Sequence, residues 1–150
     1  MSLKHTFIVD ASYNLERKVT GIGIVIHETY KPNRSGIIVA EISELYANIP
    51  VNVSEKFAVF RALEIACERN YQIVHIFSDY NSMRKQLKYA YEKKTMINGD
   101  NFHTQLLNHA NTLKDVKFKY KVRRKNQMAH RLAKNAVTDL NPKQHHIFLI

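Results

Sequence analysis

The sequence predicts an α/β domain, a mixed β-sheet with helices on its faces. Two short apolar runs, residues 5–10 and 73–79, read as strands buried on both faces, each ending in an aspartate. Two more apolar runs follow the first after short connections and complete an antiparallel meander. Helical spacing then alternates with strand patterns to the end of the chain.

Residues 4–12 form the first strand, running Phe7-Ile8-Val9 into Asp10. Residues 19–28 form the second, where Gly21 and Gly23 permit a close approach or a bend. Pro32 to Gly36 signals a turn, and residues 37–46 form a third strand. Ser54 suits a helix N-cap, and residues 55–69 carry apolar groups at 58, 59, 62, 63, 65 and 66, a helical stripe. Residues 72–77 return to strand. Residues 80–93 and 100–113 are helical patterns divided around Asn98-Gly99. Residues 116–122 alternate as a strand, and residues 126–139 form a last helix ended by Asn141-Pro142. Residues 1–150 read as a single domain with its core over 4–140 and a plain tail at 141–150, although His145-His146 suits adventitious metal.

The chain of 150 residues can bury a real core, and its hydrophobic share of 45% and charged share of 24% are ordinary for a globular protein. The net charge of +10, from 23 Lys and Arg against 13 Asp and Glu, is not ordinary. Such an excess favours a polyanionic partner, nucleic acid foremost, with solubility as the plainer reading. No apolar run approaches the roughly 18 residues of a membrane-spanning helix, and residues 1–7 lack the apolar stretch of a secretion signal. Cys67 is the only cysteine, which excludes a disulfide frame and a cysteine metal cage and suits a small core residue. A reducing cytoplasm is the expected location.

Asp10 and Asp79 leave the core at the ends of two strands. Strands of that kind lying side by side hold two carboxylates together, and their repulsion calls for a cation. Glu55 opens the first helix on the face shared with positions 58, 59 and 62, so it lies at the mouth of the buried stripe. Each acid also has a structural reading: turn former for Asp10, dipole compensation for Glu55, N-cap for Asp79. His130 flanks the last helix's apolar stripe of Met128, Ala129, Leu132, Ala133 and Ala136, where a histidine is commonly structural. In the strand 116–122, Lys117, Lys119, Lys121 and Arg123 share one face. That face suits phosphate contact or the protection of an edge strand. Arg124, Lys125, Arg131 and Lys134 extend the basic region.

These residues resemble the ribonuclease H family of bacterial-type enzymes over about residues 4–140. The motifs that carry the likeness are Asp10-Ala11-Ser12, Ser54-Glu55 before an Ala-Leu-rich helix, Phe77-Ser78-Asp79, and Asn126-Gln127-Met128-Ala129-His130-Arg131-Leu132-Ala133. The resemblance implies a five-stranded sheet of three antiparallel and two parallel strands. It implies Asp10, Glu55, Asp79 and His130 as catalytic metal ligands, with two Mg²⁺ or Mn²⁺ ions per site. Asp10 would bridge both ions, Glu55 and Asp79 would hold one, and His130 the other. The family usually places Asp where His130 stands; junction resolvases in the wider superfamily use His there. Residues 92–99 are too few for the basic protrusion of some members, and Val122 to Asn126 holds no counterpart of the family's loop histidine.

The implied activity is two-metal hydrolysis of the RNA strand of RNA–DNA hybrids, with no membrane and no obligate protein partner. Hard ions want oxygen ligands, which fits three carboxylates and no thiols. A neutral imidazole is softer, which favours Mn²⁺ over Mg²⁺. Ser12, Asn14 and Asn81 are expected to read the hybrid's minor groove, and Lys121, Arg123, Arg124, Lys125 and Asn126 to contact its backbone. Two other functions suit the same sequence: a catalytically weak nucleic-acid-binding protein, and a resolvase- or exonuclease-like nuclease on the same fold.

Overall fold

The computed structural model describes residues 3–30, 36–93 and 101–149. The strands are β1 (Leu3–Asn14), β2 (Val19–Tyr30), β3 (Ile37–Tyr46), β4 (Ile73–Ser78) and β5 (Asp115–Tyr120). The helices are α1 (Ser54–Glu68), α2 (Asn81–Lys93), α3 (Asn101–Thr112) and α4 (Gln127–Asp139). They form one five-stranded sheet in the order β3-β2-β1-β4-β5. β1 pairs antiparallel with β2, as β2 does with β3, while β4 runs parallel to both β1 and β5. This is the sheet that the resemblance implied. The turn expected at Pro32 to Gly36 and the Asn98-Gly99 divide fall largely or wholly outside the described residues.

Alternation along β1 sorts its side chains to two cores. Phe7, Val9 and Ala11 join Val74, Ile76, Val116 and Phe118 in the larger core, beneath α1, α2 and α3. Ile8 points the other way and meets Val25 and Ala129 under α4. Burying each large apolar side chain contributes about 1.5–3 kcal/mol, and Phe7, Phe57, Phe60, Leu63 and Leu87 are fully buried in the larger core.

Gly21 and Gly23 serve the first of their two expected uses. A Cβ on Gly23 would collide with the Ala129 carbonyl and come within 2.6 Å of the Ala133 nitrogen; one on Gly21 would strike the Ala133 carbonyl. Ala129, Ala133 and Ala136 are fully buried on the helix side. Small residues on both partners thus let the α4 backbone rest directly on β2.

Element ends shift from the sequence reading, β1 running on to Asn14 and β2 to Tyr30, and three differences bear on the site and the packing. Ser54 is the first residue of α1 and not its cap, because a 3₁₀ turn at Val51–Val53 precedes it and the Ser54 hydroxyl donates to the Val51 carbonyl at 3.0 Å. β5 stops at Tyr120 instead of 122, since Arg123–Lys125 turn into a 3₁₀ segment. The tail is not plain: Lys143 bonds to Leu45 and Ala47, and His145 is 7% exposed against the rings of Phe57 and Phe60. Glu64 accepts from the His145 ring at 3.0 Å, and Asn48 bonds its backbone at both ends of the amide. Cys67 is half-buried at the seam of α1 and α3, with Sγ 3.2 Å from the Thr112 hydroxyl. Among the described residues no helix is long and apolar enough to cross a membrane.

Candidate active site

Strand register brings the first two acids together. In the parallel β1–β4 pair Ile8 lies opposite Phe77, so Asp10 and Asp79, each two residues further on, stand level. Neighbouring strands are about 4.8 Å apart, which sets the scale of their separation. Glu55 arrives from the first turn of α1, whose Ala58, Val59 and Ala62 are buried under the sheet. One carboxylate oxygen from each of Asp10, Glu55 and Asp79 lies within 4.8 Å of the others.

The electrostatics follow from burial. Asp10 is 1% exposed, and one Glu55 oxygen is buried without a hydrogen-bond partner. Burial lifts the Glu55 carboxyl to about 8, helped by repulsion from Asp10 and Asp79 and opposed by Arg123. Burial also raises Asp10 above the ordinary carboxylate range; the His130 hydrogen bond works against this and Asp79 adds to it. Three oxygens crowded this closely, two of them on groups that hold protons tightly, make a donor set fitted to a hard divalent cation.

His130 projects from α4 with its Nδ1 2.7 Å from Asp10 Oδ2. The Arg123 Nη2 lies 3.1 Å from the same Nδ1, and its Nε lies 3.9 Å from Asp79 Oδ2. A guanidinium only donates, so Nδ1 serves one neighbour at a time: protonated it donates to Asp10, unprotonated it accepts from Arg123. Sequence reasoning assigned Arg123 to backbone contact alone. Its place at the acids comes from the 3₁₀ turn after β5, which the alternating pattern hid.

The other expected contact residues are spread around this centre. Ser12 lies half-buried on β1 beyond Asp10, opposite Gly21. Asn14 shapes the β1–β2 turn by accepting from the Arg17 amide at 2.8 Å. Asn81 opens α2 and accepts from Arg84 at 2.6 Å. Lys121 donates its backbone N–H to Ser78, and its ammonium sits 5.1 Å from the Phe77 ring centre. Arg124 and Lys125 are exposed, whereas Asn126 is only 2% exposed. A hollow of about 360 Å³ beside Glu55 is lined by Asn52, Tyr80, Ser82 and Gln86, which the sequence reading did not single out. They come from the turn before α1 and from α2, and no spacing links them. A larger hollow of about 540 Å³ between α2 and β5 lies away from the three acids.

The family model described as reverse transcriptase-like matches residues 8–136. No curated protein matches the sequence. Among solved structures, ribonuclease H1 from the halophilic archaeon Halobacterium salinarum superposes with a TM-score of 0.70 at 18% identity, covering 91% of this chain and 98% of that one. The N-terminal ribonuclease H domain of a Mycobacterium tuberculosis protein gives 0.72 at 18% identity, covering 91% and 95%. A ribonuclease H1 isolated from compost by a metagenomic approach, solved with an RNA/DNA hybrid, gives 0.69 at 20% identity, covering 89% and 96%. The acids thus stand on a ribonuclease H fold, and the chain belongs to the reverse transcriptase-like family of proteins with that fold.

Proposed function

We propose that this protein is a metal-dependent endonuclease that hydrolyses the RNA strand of RNA–DNA hybrids. The observation that carries this reading is the meeting of Asp10, from within β1, Asp79, just past the end of β4, and Glu55, in the first turn of α1, within 4.8 Å. A solved structure of similar fold contains an RNA/DNA hybrid, which supports the substrate class.

Asp10, Glu55 and Asp79, with His130 beside Asp10, would hold two Mg²⁺ or Mn²⁺ ions through three carboxylates and one imidazole. When bound, such a pair lowers the pKa of an attacking water and stabilises the leaving oxygen of an in-line displacement. Arg123 is exposed beside Asp79 and offers a guanidinium fork to the scissile phosphate. Ser12, Asn14 and Asn81, joined by Asn52 and Gln86 from the hollow beside Glu55, would meet the sugar edges of a wide minor groove, where 2′-hydroxyls mark the RNA strand. Lys121, Arg124 and Lys125 supply positive charge for phosphates without reading sequence, and Asn126 lies beneath them.

One observation favours a second reading, a catalytically weak binding protein. Arg123 already neutralises part of the acid cluster and contacts His130. A labelled RNA–DNA hybrid incubated with Mg²⁺ or Mn²⁺, beside duplex DNA and duplex RNA, separates the cases. Cleavage of the hybrid alone upholds the first reading. Binding without cleavage supports the second, and cutting of DNA assigns a resolvase- or exonuclease-like activity instead.

A further inference from the structure

Asn126 is the N-cap residue of α4, yet its side chain caps nothing. Both its amide oxygen and its amide nitrogen are buried without a hydrogen-bond partner, and the residue is 2% exposed. A buried amide left so has lost its hydrogen bonds to water with nothing in exchange, and a bound group that accepts from it would complete it.

Asn126 lines a hollow of about 270 Å³ between the start of α4 and the adjoining face of the sheet. Ile8 and Val25, paired across β1 and β2, also line it. Its polar lining is Asn126, Lys121, Lys125 and His27, and no lining residue is acidic. Burial lowers the His27 pKa, and the nearby charge of Lys121 lowers it further. The hollow also faces the first turn of a 13-residue helix, whose leading N–H groups and dipole favour an anion. An amide donor, two ammonium groups and a helix N-terminus around a cavity of this size suit a tetrahedral oxyanion.

We propose that this hollow binds a backbone phosphate of the nucleic-acid strand, at a position outside the scissile bond. The inference rests on the reading of the chain as acting on nucleic acid. Asn126 precedes His130 by four residues of helix, about 6 Å of rise, and Ile8 precedes Asp10 by two residues of strand, about 7 Å. The hollow is therefore offset from the acids by about the spacing of neighbouring phosphates along one strand. Occupied, it fixes how far the strand is advanced across the carboxylates.

The test has two arms, neither of which measures cleavage, so a failed hydrolysis assay leaves it intact. Inorganic phosphate is titrated into the metal-free protein and followed by ¹H–¹⁵N NMR. The expected result is a saturable shift of the Asn126 side-chain amide and of the Met128 and Ala129 backbone amides, lost in the double variant K121A/K125A. In the second arm, hybrid binding is measured across a series of salt concentrations. K121A/K125A should bind roughly 10-fold more weakly at low salt, with a salt slope smaller by about 2. Asn126→Asp, which sets a carboxylate in the hollow at unchanged size, repeats both arms, the first read on the Met128 and Ala129 backbone amides, if the double variant folds poorly by thermal melt. A phosphate response without a change of hybrid slope overturns the proposal, because the hollow then takes free anions only. So does an Asn126 amide that stays still up to saturating phosphate.

Discussion

His130 Nδ1 stands 2.7 Å from Asp10 Oδ2, although 120 positions separate them in the chain. The bond joins the last helix to the central strand at Asp10, which is 1% exposed. It also places a nitrogen donor beside a set of oxygen donors, which tilts the site away from Mg²⁺. Hybrid cleavage should be faster with Mn²⁺ than with Mg²⁺, and His130→Asp should raise the Mg²⁺ rate relative to Mn²⁺ by about 10-fold, near 1.4 kcal/mol. Parallel initial-rate assays with the two ions check this; an unchanged ratio in the variant removes the ligand role of His130.

The raised carboxyl groups set a pH dependence of stability. Glu55 titrates near 8 in the fold and near its ordinary 4.5 when unfolded, and Asp10 shifts in the same direction. Between those values the folded chain holds protons that the unfolded chain has released, so stability is greatest below the unfolded pKa and falls as pH rises toward 8. Metal-free protein should therefore melt lower at pH 8 than at pH 5. Glu55→Gln should flatten that fall and raise the pH 8 melting point by a few degrees, roughly 1 kcal/mol. Scanning calorimetry in chelator reads both; a stability that rises over this window contradicts the site's electrostatics.

Divalent ions should act on the same protein in the opposite sense. A cation bound only by the folded chain stabilises it in proportion to the logarithm of its concentration, about 2.7 kcal/mol at a hundred times its dissociation constant. Millimolar Mn²⁺ should raise the melting point of wild type at pH 8 and leave that of Asp10→Asn nearly unchanged. Equal shifts in the two would place the ion elsewhere.

Gly23→Ala probes the seat of α4. The added methyl meets the Ala129 carbonyl, which is backbone and has no rotamer to yield. We expect about 3 kcal/mol of destabilisation in urea unfolding, with a loss of hybrid cleavage larger than the loss of folded protein, because α4 carries His130. An Ala variant as stable and active as wild type refutes the close seating.

His145→Ala tests the docked tail. The substitution empties a site between Phe57 and Phe60 and leaves Glu64 half-buried without its imidazole. A loss of about 2–3 kcal/mol is expected from chemical denaturation, with cleavage by the remaining folded fraction unchanged.

What could be read in the chain beforehand was what local pattern encodes. Apolar runs of strand length announced β1 and β4, and both closed on an aspartate, so Asp10 and Asp79 were visible as a pair. Glu55 was visible because it shares a helix face with Ala58, Val59 and Ala62. His130 sat beside an apolar stripe, a position that suits structure as well as chemistry, and only its distance to Asp10 distinguishes it. The docking of the tail had no local signal, since Glu64 and Asn48 lie 81 and 97 positions from His145. The contacts of Arg123 with Asp79 and His130 were hidden because alternation was carried two residues past the true end of β5.

The glycine and alanine seam has one more implication. A hinge needs compliant side chains, and at Gly21 and Gly23 the α4 backbone lies directly on β2. Helix and sheet travel as one body, with His130 and Asp10 fixed in common.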